Sequence, residues 1–226
     1  MTGTELALDD VERIALDGVR VDLGDGARGR VAAARAVVDD TAGTNMSTYG
    51  LNTGVGRFVD TRIPDGLTSE LQRRVLRSHA AGVGQPYPDE VVRAAQLLRI
   101  NTLALGYSGV RVDLVERMLE ILNAGIIPYV PGRGSVGASG DLAPLSHLCL
   151  PVIGEGRAFV DGELMSSADA LARYDIAPLE LASKEGLSLI NGTQFMTALG
   201  VLALLDAEYL CDIADLTGAI SLEALK

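Results

Sequence analysis

Between Gly132 and Pro144 the chain reads Gly-Arg-Gly-Ser-Val-Gly-Ala-Ser-Gly-Asp-Leu-Ala-Pro, and three chemistries compete for these small residues. Gly132, Gly134 and Gly137 form a G-x-G-x-x-G, which cradles a dinucleotide only where a strand leads in and a helix starts at the third glycine. Pro128 and Pro131 interrupt such a strand, and Gly140 and Pro144 interrupt such a helix. Gly137-Ala138-Ser139-Gly140 falls one residue short of the G-x-S-x-G elbow of serine hydrolases. The third chemistry needs only Ala138-Ser139-Gly140. In a tight bend the amide nitrogen of Gly140 can attack the carbonyl carbon of Ala138, because no Cβ obstructs it. Loss of water from the new ring and from the Ser139 side chain leaves a conjugated exocyclic methylidene, an electrophile built into the backbone. A loop whose glycines merely permit a tight path accounts for the same residues without chemistry.

Other reactive side chains are scarce. The cysteines are Cys149 and Cys211 and the histidines His79 and His147. None falls in a C-x-x-C or H-x-x-x-H spacing, so no metal is expected, and free thiols suit a reducing cytoplasm. Lysine occurs only at 184 and 226, so a pyridoxal phosphate Schiff base would fall to Lys184, and that cofactor is not expected either. Tyr49 opens a loop with three glycines in eight residues, Tyr49 to Gly56, and by itself reads as its half-buried anchor. Asn191, before Gly192, by itself reads as a helix cap.

The framework that must position these residues is 226 residues long, with 19 basic and 30 acidic side chains and a net charge of −11. That length suits one domain or two small ones. The acidic balance repels phosphate backbones and argues against nucleic acid. An apolar share of 48% excludes a disordered chain. The start shows no basic segment followed by an apolar run. The apolar run from Phe195 to Leu205 is shorter than the roughly 20 residues a bilayer needs and reads as a buried helix, so no membrane is expected.

Apolar periodicity predicts helices over 6–16, 26–40, 69–81, from Pro88 past Thr102, and over 112–123. A loop follows through Pro144, then a short hairpin with Asp161-Gly162 at its tip. From Gly186 onward the chain reads as continuous helix that reaches Lys226 with no stop signal, and so as an N-terminal portion of something longer.

The fourteen residues from Gly134 to His147 closely resemble the signature of the aromatic amino acid ammonia-lyases, which make a methylidene-imidazolone (MIO) group. The resemblance extends through Tyr49–Gly54, Ser78–Gly84, Asn101–Arg111 and Lys184–Gln194. It implies a mainly α chain, the N-terminal part of a fumarase/aspartase-like helical bundle with a glycine-rich MIO loop and a minor β-hairpin. Residues 1–185 would be the loop-bearing domain and 186–226 the start of the central bundle. Family members are about twice this length and assemble as homotetramers whose sites combine several subunits.

By the same resemblance, Ala138, Ser139 and Gly140 form the MIO, Ser139 becomes the electrophile, Tyr49 is the base at the substrate β-carbon, and Asn191 hydrogen-bonds the ring. Tyr107, Ser108, Gly109 and Arg111 support the loop. Ser78-His79 before Ala80-Ala81-Gly82, with Lys184-Glu185-Gly186-Leu187, resembles the histidine-specific group, His79 meeting the substrate imidazole. Val55 departs from the Phe of many relatives. The implied reaction is deamination of L-histidine to trans-urocanate and ammonia in the cytoplasm. The alternatives are an MIO-dependent tyrosine or phenylalanine lyase or aminomutase and, from another class, an inactive truncated domain whose loop stays open.

Overall fold

A computed structural model describes residues 1–42, 44, 48–54, 56–137 and 140–225. Ala138 and Ser139, two of the three residues expected to form the electrophile, and Val55 lie outside the described residues.

The centre is α4 (Asp89–Ala104), which starts after Pro88 with Asp89 and Glu90 in its first turn, where acids complement the helix dipole. Val92, Ala94, Ala95, Leu97, Ile100, Leu103 and Ala104 are almost wholly buried, so the helix is apolar nearly all round and needs neighbours on every side. It gets them from α1 (Leu8–Ala15), α2 (Asp25–Ala42), α5 (Val112–Asn123) and the first turns of α9 (Gln194–Ala224). A second group packs α3 (Thr68–His79) against α6 (Leu142–Cys149) and α8 (Glu185–Ile190). The chain is mainly helical, as the sequence predicts.

Short strands close the loops. Antiparallel β1 (Val83–Pro86) and β3 (Pro131–Arg133) pair Val83 with Arg133 and Pro86 with Pro131. β2 (Ile127–Pro128) joins the predicted hairpin, β4 (Arg157–Val160) and β5 (Glu163–Ser166), whose register places Phe159 opposite Leu164 around the Asp161-Gly162 tip. Ser166 then caps α7 (Ser167–Ala172) by accepting from the Asp169 amide at 3.1 Å.

Two features differ from the sequence reading. The helix predicted from Gly186 onward is broken at residues 191–193, where Asn191 turns to an extended conformation. A Cβ on Gly192 would lie 2.6 Å from Arg99 Nη1, so the break belongs to a close tertiary approach. The second helix, α9, runs 31 residues, and α8 and α9 together pass for a membrane span by length and composition alone. Phe195 and Ala198 are instead buried in the core, and Asp206, Glu208, Asp212 and Asp215 punctuate the exposed remainder.

Before the break, Glu185 is fully buried and fully used. It accepts from the Arg111 amide (2.9 Å) and side chain (2.8 and 3.0 Å) and from the Ala182 amide (2.7 Å), as a carboxylate in a core must be. Lys184 Nζ and Ser188 Oγ both donate to the Ser108 carbonyl, at 2.8 and 3.1 Å. Residues 108–111 therefore brace the segment that delivers Asn191, and Tyr107 is 85% exposed.

On α6, His147 Nε2 accepts the Gly82 amide at 3.0 Å, so the neutral ring holds the chain leading into β1. Burial, and secondarily the Arg157 charge, pulls its pKa below the ordinary 6.5. Between the depressed native value and 6.5 the unfolded chain binds a proton that the native chain does not. Stability is therefore full above that window and falls as pH drops through it. Urea midpoints at about pH 7.5 and 5.5 should differ less in His147→Gln than in the parent protein; equal differences would contradict this role.

Candidate active site

Tyr49, His79 and Asn191, far apart in sequence, line one cavity of about 610 Å³, a size that suits a small molecule. Its walls are mostly apolar, among them Phe58, Leu71, Val75, Leu142, Leu187 and Ile190.

Tyr49 sits in a loop closed by local bonds: the Asn52 side chain accepts the Thr48 amide at 2.7 Å, and the Asn52 carbonyl accepts the Ile63 amide at 2.9 Å. The Tyr49 oxygen accepts the Gly56 amide at 3.3 Å, which fixes the phenol at the rim, where the residue is half exposed.

His79 ends α3. Its Nδ1 lies 2.8 Å from the Val75 carbonyl and 3.1 Å from Ser78 Oγ, and Ser78 Oγ lies 3.1 Å from the same carbonyl. A carbonyl can only accept, so Nδ1 carries the hydrogen and Nε2 of the neutral ring is left as an acceptor. The Val75 carbonyl thus sets the tautomer. Arg74 supplies a cation at the cavity, tied to Glu70 at 2.8 Å; sequence reasoning did not single it out.

Beside this cavity runs the glycine-rich loop. Ser135 Oγ donates to Asp141 Oδ1 at 3.2 Å, tying residue 135 to residue 141. The Asp141 amide donates to the Gly192 carbonyl at 2.7 Å, and Asp141 Oδ2 accepts the amides of Phe195 and Met196 at 3.0 and 3.1 Å. Those amides are unpaired first-turn donors of α9, which makes Asp141 a cap supplied from more than fifty residues upstream. The buried carboxylate is also felt by Tyr87, whose pKa is raised first by burial and then by Asp141. Asp141 was legible only as a member of the loop.

Gly140 tests whether the loop fits an electrophile formed from its own backbone. Its φ of +91° lies in the left-handed region, and a Cβ there would overlap the Gly192 carbonyl oxygen. Only glycine fits at residue 140, directly after the two residues that would complete the ring. Within the described residues, Gly140, Asp141 and Asn191 are consistent with such a group.

The profile of the family described as aromatic amino acid lyase matches residues 6–226. The chain belongs to the aromatic amino acid lyase family. It is 50% identical to the histidine ammonia-lyase of Sorangium cellulosum over 228 residues, which covers 100% of this chain and 44% of that relative. The chain thus spans less than half the length of the curated relatives it matches. Among solved structures it is similar to the histidine ammonia-lyase of Trypanosoma cruzi (38% identity, TM-score 0.88, 95% of this chain and 41% of that one). It is also similar to a tyrosine aminomutase from Streptomyces globisporus (40%, TM-score 0.83, 89% and 38%). The lyase fold therefore carries more than one substrate name, and only the cavity residues can distinguish them.

Asp141→Ala should lower the unfolding free energy by about 2 kcal/mol, at the upper end of cap losses because two first-turn amides, one of them buried, lose their partner. Urea titration monitored by circular dichroism measures it. An unchanged midpoint would show that α9 does not depend on this cap.

Proposed function

We propose that this chain carries the electrophile-forming half of an MIO-dependent histidine ammonia-lyase that converts L-histidine to trans-urocanate and ammonia in the cytoplasm, working as a homotetramer. The reading is carried by one observation: a tyrosine, a histidine of fixed tautomer and an asparagine share one cavity.

Residues 138–140 would form the MIO, with Asn191 as its hydrogen-bond partner. The group, when formed, supplies an electrophile that captures the substrate amine and makes its nitrogen a better leaving group. The remaining work falls to side chains. His79 Nε2 accepts the N–H of the substrate imidazole, which orients the ring and selects against a phenyl group, which has no donor. Tyr49 takes the β-proton as general base, and the apolar walls exclude water around the reacting carbons. The Gly56 amide holds the phenol oxygen in place between turnovers.

A phenol hydroxyl can also donate to an acceptor Nε2, so tyrosine is the second reading, as substrate of a lyase or an aminomutase. The assembled protein should produce urocanate absorbance from L-histidine and far less coumarate from L-tyrosine, with ammonia released in step. Coumarate without urocanate would refute the histidine assignment. Ser139→Ala should abolish turnover, and substantial residual activity would refute its role.

A further inference from the structure

We infer that Arg99 is the positioning residue of the reactive turn: from the middle of α4 its buried guanidinium fixes residues 191–194, and through them both Asn191 and the carbonyl on which residue 140 is seated. The inference rests on the ammonia-lyase reading and names what holds that site in register.

Arg99 is 2% exposed. Its Nη1 donates to the Asn191 carbonyl at 3.0 Å and to Gln194 Oε1 at 3.2 Å. These acceptors lie on either side of Gly192, the residue whose carbonyl takes the Asp141 amide. Gln194 Nε2 reaches back to Thr102 Oγ1 at 3.2 Å, so α4 grips the turn at two points one helical turn apart. A side chain on residue 192 would displace the guanidinium, which ties the glycine at the helix break to the arginine beneath it.

The charge makes this more than packing. Burial pulls the Arg99 pKa down to about 10, so the group remains a cation near neutrality. Among the described residues no carboxylate pairs with it, and its Nε is buried without a partner. A cation buried on these terms is costly. An apolar residue of similar volume would fill the same space, but it could not hold two oxygens from residues 191 and 194 of the turn. The planar guanidinium does so with two charge-assisted bonds from Nη1 in a fixed orientation, which a freely rotating lysine ammonium does not impose. The cost is offset by fixing a turn in which Asn191 enters the cavity and the Gly192 carbonyl limits where residue 140 can lie.

A misplacement of about 1 Å at a reacting centre can cost on the order of 100-fold in rate. In the assembled protein, Arg99→Lys should slow the appearance of the near-ultraviolet absorbance of the loop-derived group. It should also lower kcat per matured site roughly 10- to 100-fold, with KM changed less than about threefold. A merely structural role would lower the fraction of matured sites and leave kcat per matured site unchanged. Thr102→Val, which frees the Gln194 amide without touching the loop, should lower kcat per matured site several-fold and leave the unfolding midpoint nearly as in the parent. Parental kcat per matured site in Arg99→Lys overturns the inference. Should that variant fail to fold, Thr102→Val decides, and an unchanged kcat overturns it. A parent protein that neither gains the absorbance nor releases ammonia overturns the ammonia-lyase reading along with it, a result distinct from an active parent with indifferent variants.

Discussion

A single carboxylate joins the reactive loop to the longest helix. The first amides of α9 have no intrahelical acceptor, and Thr193, the local capping position, supplies no side-chain bond. Asp141 supplies it from the far side of the site, accepting from Phe195 and Met196 while its own amide is taken by Gly192. The loop cannot open at its C-terminal end without uncapping the helix, and the helix cannot shift without pulling the loop. Because the same carboxylate also accepts from Ser135, the constraint reaches both ends of the bend. A glycine-rich segment, which loses more conformational entropy on ordering than any other, is held in this way without bulky side chains of its own.

Around that clamp the buried polar groups are nested. Arg99 and Thr102 of α4 hold the turn from below, and Glu185 with Arg111 holds the segment that enters it. Each polar group is taken out of water, and nearly every one finds a partner, which is the condition for a polar cluster to rigidify a core. The apolar framework around α4 is what makes these bonds strong, since they lie where water cannot compete.

The helical framework was legible in the sequence wherever a local signal exists. The predicted Val112–Asn123 helix is α5 residue for residue, and the Asp161-Gly162 tip fixed the hairpin register, because caps, periodicity and turn residues are local causes. The pairing of β1 with β3 was not, since two proline-bearing segments gain their strand character only from each other. The break at 191–193 escaped for the same reason: its cause is a guanidinium more than ninety residues away. For the site, the resemblance named Tyr49, His79 and Asn191, but their meeting in one cavity is a matter of tertiary packing. Asp141 as a helix cap, Arg99 as an anchor and the Val75 carbonyl as the acceptor that sets the His79 tautomer are all long-range or orientational facts that residue types alone do not carry.

The proposed electrophile requires the backbone of residues 138–140 to close on itself. The most direct test is the mass of the proteolytic peptide spanning residues 133–144, taken from the assembled protein. Ring closure with loss of two waters predicts a mass about 36 Da below that of the encoded sequence. A peptide at the full encoded mass, from protein that is folded and assembled, would contradict the account.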